Sequence, residues 1–221
     1  MSSEAYIQGL ADIFHEKGNP ETAQGQMAYM KHQFDFYGLK MPVWSAITKA
    51  YVKTHGLPVN IKEVAILCFE ADQREMQYFA LEMVQTTLKK QDSDHIYLLE
   101  WLILHKSWWD TVDWIAKLVG IHFKRYPDLV VPVTERWMES GNMWLQRVCI
   151  IFQLFYRDQT NTDLMFKYIL AVADSKEFFL QKAAGWALRQ HTRTDPAVVE
   201  AFVKVHVLSA LTRREAVRLL A

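Results

Sequence analysis

Cysteine is almost missing from this chain. Cys68 and Cys149 are the only two in 221 residues, each isolated in apolar sequence with no CxxC pair. That excludes a disulfide framework and reads as two buried thiols in a reducing compartment. The eight histidines fall in no HExxH or other ligand spacing, so no metal site and no cofactor are expected. No apolar run approaches the ~20 residues that span a bilayer. The first residues, with Glu4, Asp12 and Glu16, lack a secretory-signal pattern. A cytoplasmic protein with no membrane partner is expected. An excess of charge is also missing, because 25 Lys and Arg balance 25 Asp and Glu. A simple polybasic nucleic-acid binder is thereby excluded. The charge is uneven, however. Residues 1–139 hold 14 basic and 18 acidic side chains, whereas residues 140–221 hold 11 and 7. An anionic partner is therefore expected on the C-terminal part.

Hydrophobic residues make up 51% of the chain and aromatic residues 13%, enough for a sizeable core. Their spacing is helical. Tyr6, Ile7, Leu10, Ile13 and Phe14 mark a helix over 4–17 that stops at Gly18-Asn19-Pro20. A second helix follows to about Gln33, and Phe34 to Pro42 reads as a loop with Gly38 and Pro42 as breakers. Further helices are expected at 43–54, 60–71, 73–90, 93–105, 108–119, 121–126, 127–140, 142–157, 161–173, 176–191, 196–206 and 212–220. Strand signals are almost absent, so the fold class is all-α.

The helices repeat. Six-residue segments beginning at Glu75, Trp108, Trp144, Phe179 and Leu211 align, and their third members are Gln77, Asp110, Gln146, Gln181 and Arg213. The spacings between these are 33, 36, 35 and 32. One helix pair per period describes an α-solenoid of HEAT-like pairs, a single domain over 1–221 with a concave groove lined by one helix of each pair. The sixth position is Ala80, Asp113, Cys149, Ala184 and Ala216. Four repeats place a small apolar residue there and one places a carboxylate, which costs several kcal/mol if buried without a partner. Either Asp113 faces the groove or a cation compensates it, and Arg147 in the following repeat is the candidate partner of a purely structural pair.

Asp113 belongs to a stretch with three tryptophans in seven residues, Trp108-Trp109-Asp110-Thr111-Val112-Asp113-Trp114. Trp109 and Asp113 are four apart and share a helix face. An indole beside a carboxylate suits a cationic ligand, although a Trp-Trp pair at a helix start also serves as core. A second mixed face has Lys182, Trp186 and Arg189 at i, i+4 and i+7. With Phe178-Phe179 and Tyr156-Arg157 nearby, these residues make a surface able to track phosphates. The alternative is Trp186 in the core with the two cations snorkelling.

These segments together resemble the DNA alkylation repair glycosylases of the AlkD type. Ser107 to Asp113, Trp144 to Arg147, Ser175 to Phe179 and Lys182 to Arg189 carry the resemblance, with Tyr29-Met30-Lys31 and Phe36-Tyr37-Gly38. It extends from about residue 20 to the C-terminus. It implies a HEAT-like solenoid acting as a monomer on duplex DNA and excising cationic N3- and N7-alkylated purines. It places the catalytic aspartate at Asp113, the cleft tryptophans at Trp109 and Trp186, and the cleft arginine at Arg147. Tyr29, Lys40, Gln153, Arg157, Phe178, Phe179, Lys182 and Arg189 are the expected DNA contacts. Two positions depart from the family pattern. Lys40 stands where glutamine is expected and would add a phosphate contact; Phe155 stands where a relative carries lysine and would lose one. The alternative function is a non-catalytic solenoid that binds DNA structures or a protein partner.

Overall fold

The computed structural model describes residues 1–220. These form thirteen α-helices and four short 3-10 turns, and among them the only β pairing is an isolated bridge between Asp35 and Gln73. Two compact units result, one from Met1 to Gln91 and the other from Asp92 onward.

The N-terminal unit contains α1 (Ser3–Lys17), α2 (Pro20–Tyr29), α3 (Met41–His55), α4 (Ile61–Glu70) and α5 (Arg74–Thr87). Tyr6, Leu10 and Phe14, spaced four apart, bury one stripe of α1. The Tyr6 hydroxyl donates to the Gly56 carbonyl at 2.8 Å, and the Tyr51 hydroxyl donates to the Tyr6 carbonyl at 2.7 Å. Pro42, expected to close the loop, lies instead in the first turn of α3. There its missing N–H would have no helical partner in any case.

The C-terminal unit contains α6 (His95–Leu104), α7 (Trp109–Arg125), α8 (Val130–Glu139), α9 (Met143–Ile151), α10 (Thr162–Ala171), α11 (Phe178–His191), α12 (Pro196–Val205) and α13 (Ala210–Ala216). Asn142, Asn161, Asp195 and Ser209 each cap the helix that follows with a side-chain oxygen. In this unit α7 packs on α9, α9 on α11 and α11 on α13, while α8, α10 and α12 flank the row. That is the solenoid arrangement of the expected period. Each row helix buries the apolar residues of the register: Val112 on α7, Val148 on α9, Ala183 on α11 and Ala216 on α13.

Among the helix boundaries that differ from the expected ones, two do so for tertiary reasons. The expected helices 108–119 and 121–126 are one, because Gly120 is a packing residue and not a break. A Cβ there would collide with the Phe152 carbonyl oxygen, and the Gly120 carbonyl accepts the Tyr156 hydroxyl at 2.6 Å. Conversely, α9 ends at Ile151, six residues short of the expected 157. The Gln153 amide donates to the Asn161 carbonyl at 3.3 Å and accepts the Asn161 N–H at 2.8 Å. Together with the Tyr156 bond this holds the chain out of the helix, and Arg157 adopts φ +56°.

Gly120→Ala separates packing from propensity. Alanine is about 1 kcal/mol the better helix former, but the added methyl overpacks the junction with Phe152, a cost of about 1–3 kcal/mol. A lower urea midpoint is expected, and a higher one would show that Gly120 is not a packing glycine.

Candidate active site

Asp113 lies one turn into α7 and Arg147 lies one turn into α9. The Arg147 guanidinium grips the carboxylate with two bonds, Nε to Oδ1 at 2.7 Å and Nη2 to Oδ2 at 2.9 Å. Its Nη1 donates to the Phe179 carbonyl at 2.6 Å, at the start of α11. Such a fork-to-fork pair fixes the plane of both groups. The Arg147 side chain is only 6% exposed, while that of Asp113 keeps 20%. The pair expected as a structural alternative is thus present, and the Asp113 side chain is not wholly withdrawn from solvent.

Burial pushes the Asp113 carboxyl above the ordinary aspartate range, and the charge of Asp110 adds to this. The hydrogen bonds and charge of Arg147 pull it back without cancelling the rise. An aromatic cluster adjoins Arg147 through Phe179. The rings of Trp108 and Phe179 lie 5.3 Å apart, those of Trp144 and Phe179 4.9 Å, and those of Trp108 and Trp144 6.0 Å. The Arg147 guanidinium sits 5.9 Å from the Phe179 ring centre. Trp108, Trp144 and Phe179 all occupy the first position of the repeat register, so the period itself gathers them.

The other expected residues of this unit fall as follows. Trp109 opens α7 and Trp186 lies midway along α11, both half-buried. Phe178 is exposed, as are Arg157 and Phe155. Phe179 is half-buried in the aromatic cluster and serves Arg147 through its carbonyl. Gln153, an expected DNA contact, is 5% exposed, and its amide oxygen and nitrogen both bond to the Asn161 backbone, so it holds the turn after α9. Lys182 and Arg189 are half-buried on α11, and both pair with Glu215 of α13.

In the N-terminal unit, Tyr29 and Lys40 are exposed and border one cleft of about 630 Å³ with Gln26, Met30, Phe36 and Tyr78. The loop leading to Lys40 is held by Glu75, a residue the sequence reading did not single out. Its buried carboxylate accepts the N–H groups of Tyr37, Gly38 and Leu39, each at 3.0 Å. Gly38 adopts φ +87°, and a Cβ there would collide with the Asn19 carbonyl. Among the described residues no group of three or more His, Cys, Asp or Glu could hold a metal ion, and no helix is long and apolar enough to cross a membrane.

Removing one partner of a buried pair strands the other. Arg147→Ala is expected to destabilise the fold by about 3 kcal/mol, the low end for such a loss because Asp113 stays partly solvated. Asp113→Asn in the same chain should restore part of that in chemical denaturation. Strictly additive losses would show that the two groups do not act as a pair.

A solved structure described as "Predicted DNA alkylation repair enzyme from Enterococcus faecalis" is 33% identical, covering 92% of this chain and 97% of its own, with a TM-score of 0.86. No match is found among curated proteins. The family model described as "DNA alkylation repair enzyme" matches residues 10–220, a span that includes Asp113, Arg147 and their aromatic frame, and the chain belongs to that family.

Proposed function

We propose that this protein is a DNA glycosylase that hydrolyses the N-glycosidic bond of cationic N3- and N7-alkylated purines in duplex DNA. One observation carries the reading: a partly exposed aspartate occupies a slot that four other repeats fill with Ala or Cys, and an arginine fixes the plane of its carboxylate. Alkylation at N3 or N7 makes the base a cation. When the C1′–N bond breaks, the bonding pair goes to the base, neutralises it and leaves positive charge on the sugar. No acid need protonate such a leaving group, so one carboxylate suffices where ordinary glycosidases use two. Ionised Asp113 stabilises the oxocarbenium sugar and orients the water that adds to C1′, and the water's proton passes to Asp113 or to solvent. Trp109 and Trp186 offer π-faces to the charged sugar or base. Arg147 keeps Asp113 oriented. Tyr29, Lys40, Arg157, Phe178, Lys182 and Arg189 contact the DNA, the cations through backbone phosphates.

The bidentate Asp113–Arg147 pair favours a second reading, in which the carboxylate is structural and the solenoid binds DNA or a protein without chemistry. Release of free base separates the two. Wild type is expected to release 7-methylguanine and 3-methyladenine from defined duplexes but not uracil or hypoxanthine. Asp113→Asn should stay folded and lower release by at least ~10², the effect of losing one electrostatic stabiliser. Equal release of uracil and 7-methylguanine would rule out selection by charge. DNA binding without release from any duplex would support the non-catalytic solenoid.

A further inference from the structure

Asp113 is not the only carboxylate in an apolar slot of the repeat. The fifth register position is Phe79, Val112, Val148 and Ala183, each wholly buried, and then Glu215, 6% exposed. A Cβ on Gly185 of α11 would lie 2.5 Å from the Glu215 Cβ and 2.9 Å from the Thr212 carbonyl oxygen, so α13 seats on α11 at the only residue type that admits it. Glu215 then lies between Lys182 and Arg189. Its Oε1 is 3.1 Å from the Lys182 Nζ, its Oε2 accepts from Arg189 Nη1, and Arg218 Nη1 stands 3.5 Å from Oε2. Burial acts to raise the Glu215 carboxyl, but the Lys182 bond and the charges of Lys182, Arg189 and Arg218 outweigh it and hold the carboxyl below the ordinary range. One buried anion therefore sits beneath three cations whose side chains are 38%, 25% and 62% exposed. Lys182 occupies the same fourth register position as Arg147, one repeat further on, so each of these two cations is held by a carboxylate from a neighbouring repeat.

We propose that Glu215 is a built-in competitor for DNA phosphates, holding the grip of Lys182, Arg189 and Arg218 on undamaged DNA below what three cations would supply. The inference rests on the proposed role of Lys182 and Arg189 in DNA binding and adds to it a residue that restrains them. A phosphate arriving at the cluster finds charge already spent on Glu215. A glycosylase that must leave undamaged sites gains from a cluster weakened in this way, because non-specific affinity is set by the phosphates neutralised.

Glu215→Gln is expected to bind an undamaged duplex about five- to tenfold more tightly at 0.1 M salt and to steepen the slope of log K against log salt by up to about one unit. Added Lys182→Ala and Arg189→Ala should abolish the gain. Glu215→Met, which refills the slot with an apolar side chain as the other four repeats do, should give the same result and serves if the glutamine variant is unstable. Wild type that binds DNA and releases base, with both Glu215 variants folded but unchanged or weaker in affinity, overturns this inference alone. Wild type without DNA binding overturns the glycosylase reading and this inference together.

Discussion

The pair between Asp113 and Arg147 is the contact on which the C-terminal unit and its candidate site both depend. It ties α7 to α9, and through the Phe179 carbonyl it ties α9 to α11. A carboxylate and a guanidinium largely withdrawn from water lose solvation that only close, well-aligned contact restores. The Arg147 side chain is only 6% exposed and the Phe179 ring lies 5.9 Å from its guanidinium, and such burial strengthens the attraction. The feature that ties the stack together is also the one that gives a carboxylate a fixed plane on a side chain that keeps some exposure.

The repeat explains how such a feature arises. In a solenoid each helix pair buries its apolar face on its neighbours, so every register position faces a similar environment. First-position Trp108, Trp144 and Phe179 gather into an aromatic row, and fifth-position Val112, Val148 and Ala183 into the core. Fourth-position cations Arg147 and Lys182 recur one repeat apart. A charge placed in such a register finds its partner in an adjoining repeat: Arg147 answers Asp113, and Lys182 with Arg189 answers Glu215. The charged departures from the repeat are thus paired between neighbouring repeats, while the repeat supplies the scaffold.

Much of this was legible beforehand. The helical period, the all-α class and the anomaly at Asp113 follow from residue spacing. The resemblance carried by Ser107 to Asp113 and Lys182 to Arg189 pointed to the family to which the chain belongs. Other features depend on contacts between segments distant in sequence. Gly120 looked like a break because its neighbour, the Phe152 carbonyl, lies 32 residues on. Gln153, an expected DNA contact, gives no local hint of its bonds to the Asn161 backbone eight residues on. Glu75 gives no local hint that it receives the N–H groups of a loop more than 35 residues earlier. Glu215 was within reach, because the register that exposed Asp113 exposes it too, one column earlier.

The central claim is that an ionised Asp113, oriented by Arg147, performs the chemistry. Its most direct test is the pH dependence of single-turnover release of 7-methylguanine, with spontaneous depurination subtracted. Burial raises the Asp113 carboxyl and the ionised form is the active one. The rate should therefore fall on acidification at a pH above the ordinary aspartate value of about 3.9. Arg147→Gln removes the charge that pulls the group back down, so its acid limb should move to still higher pH. A rate that stays flat down to about pH 4, or an acid limb at the same pH in both proteins, would contradict the account.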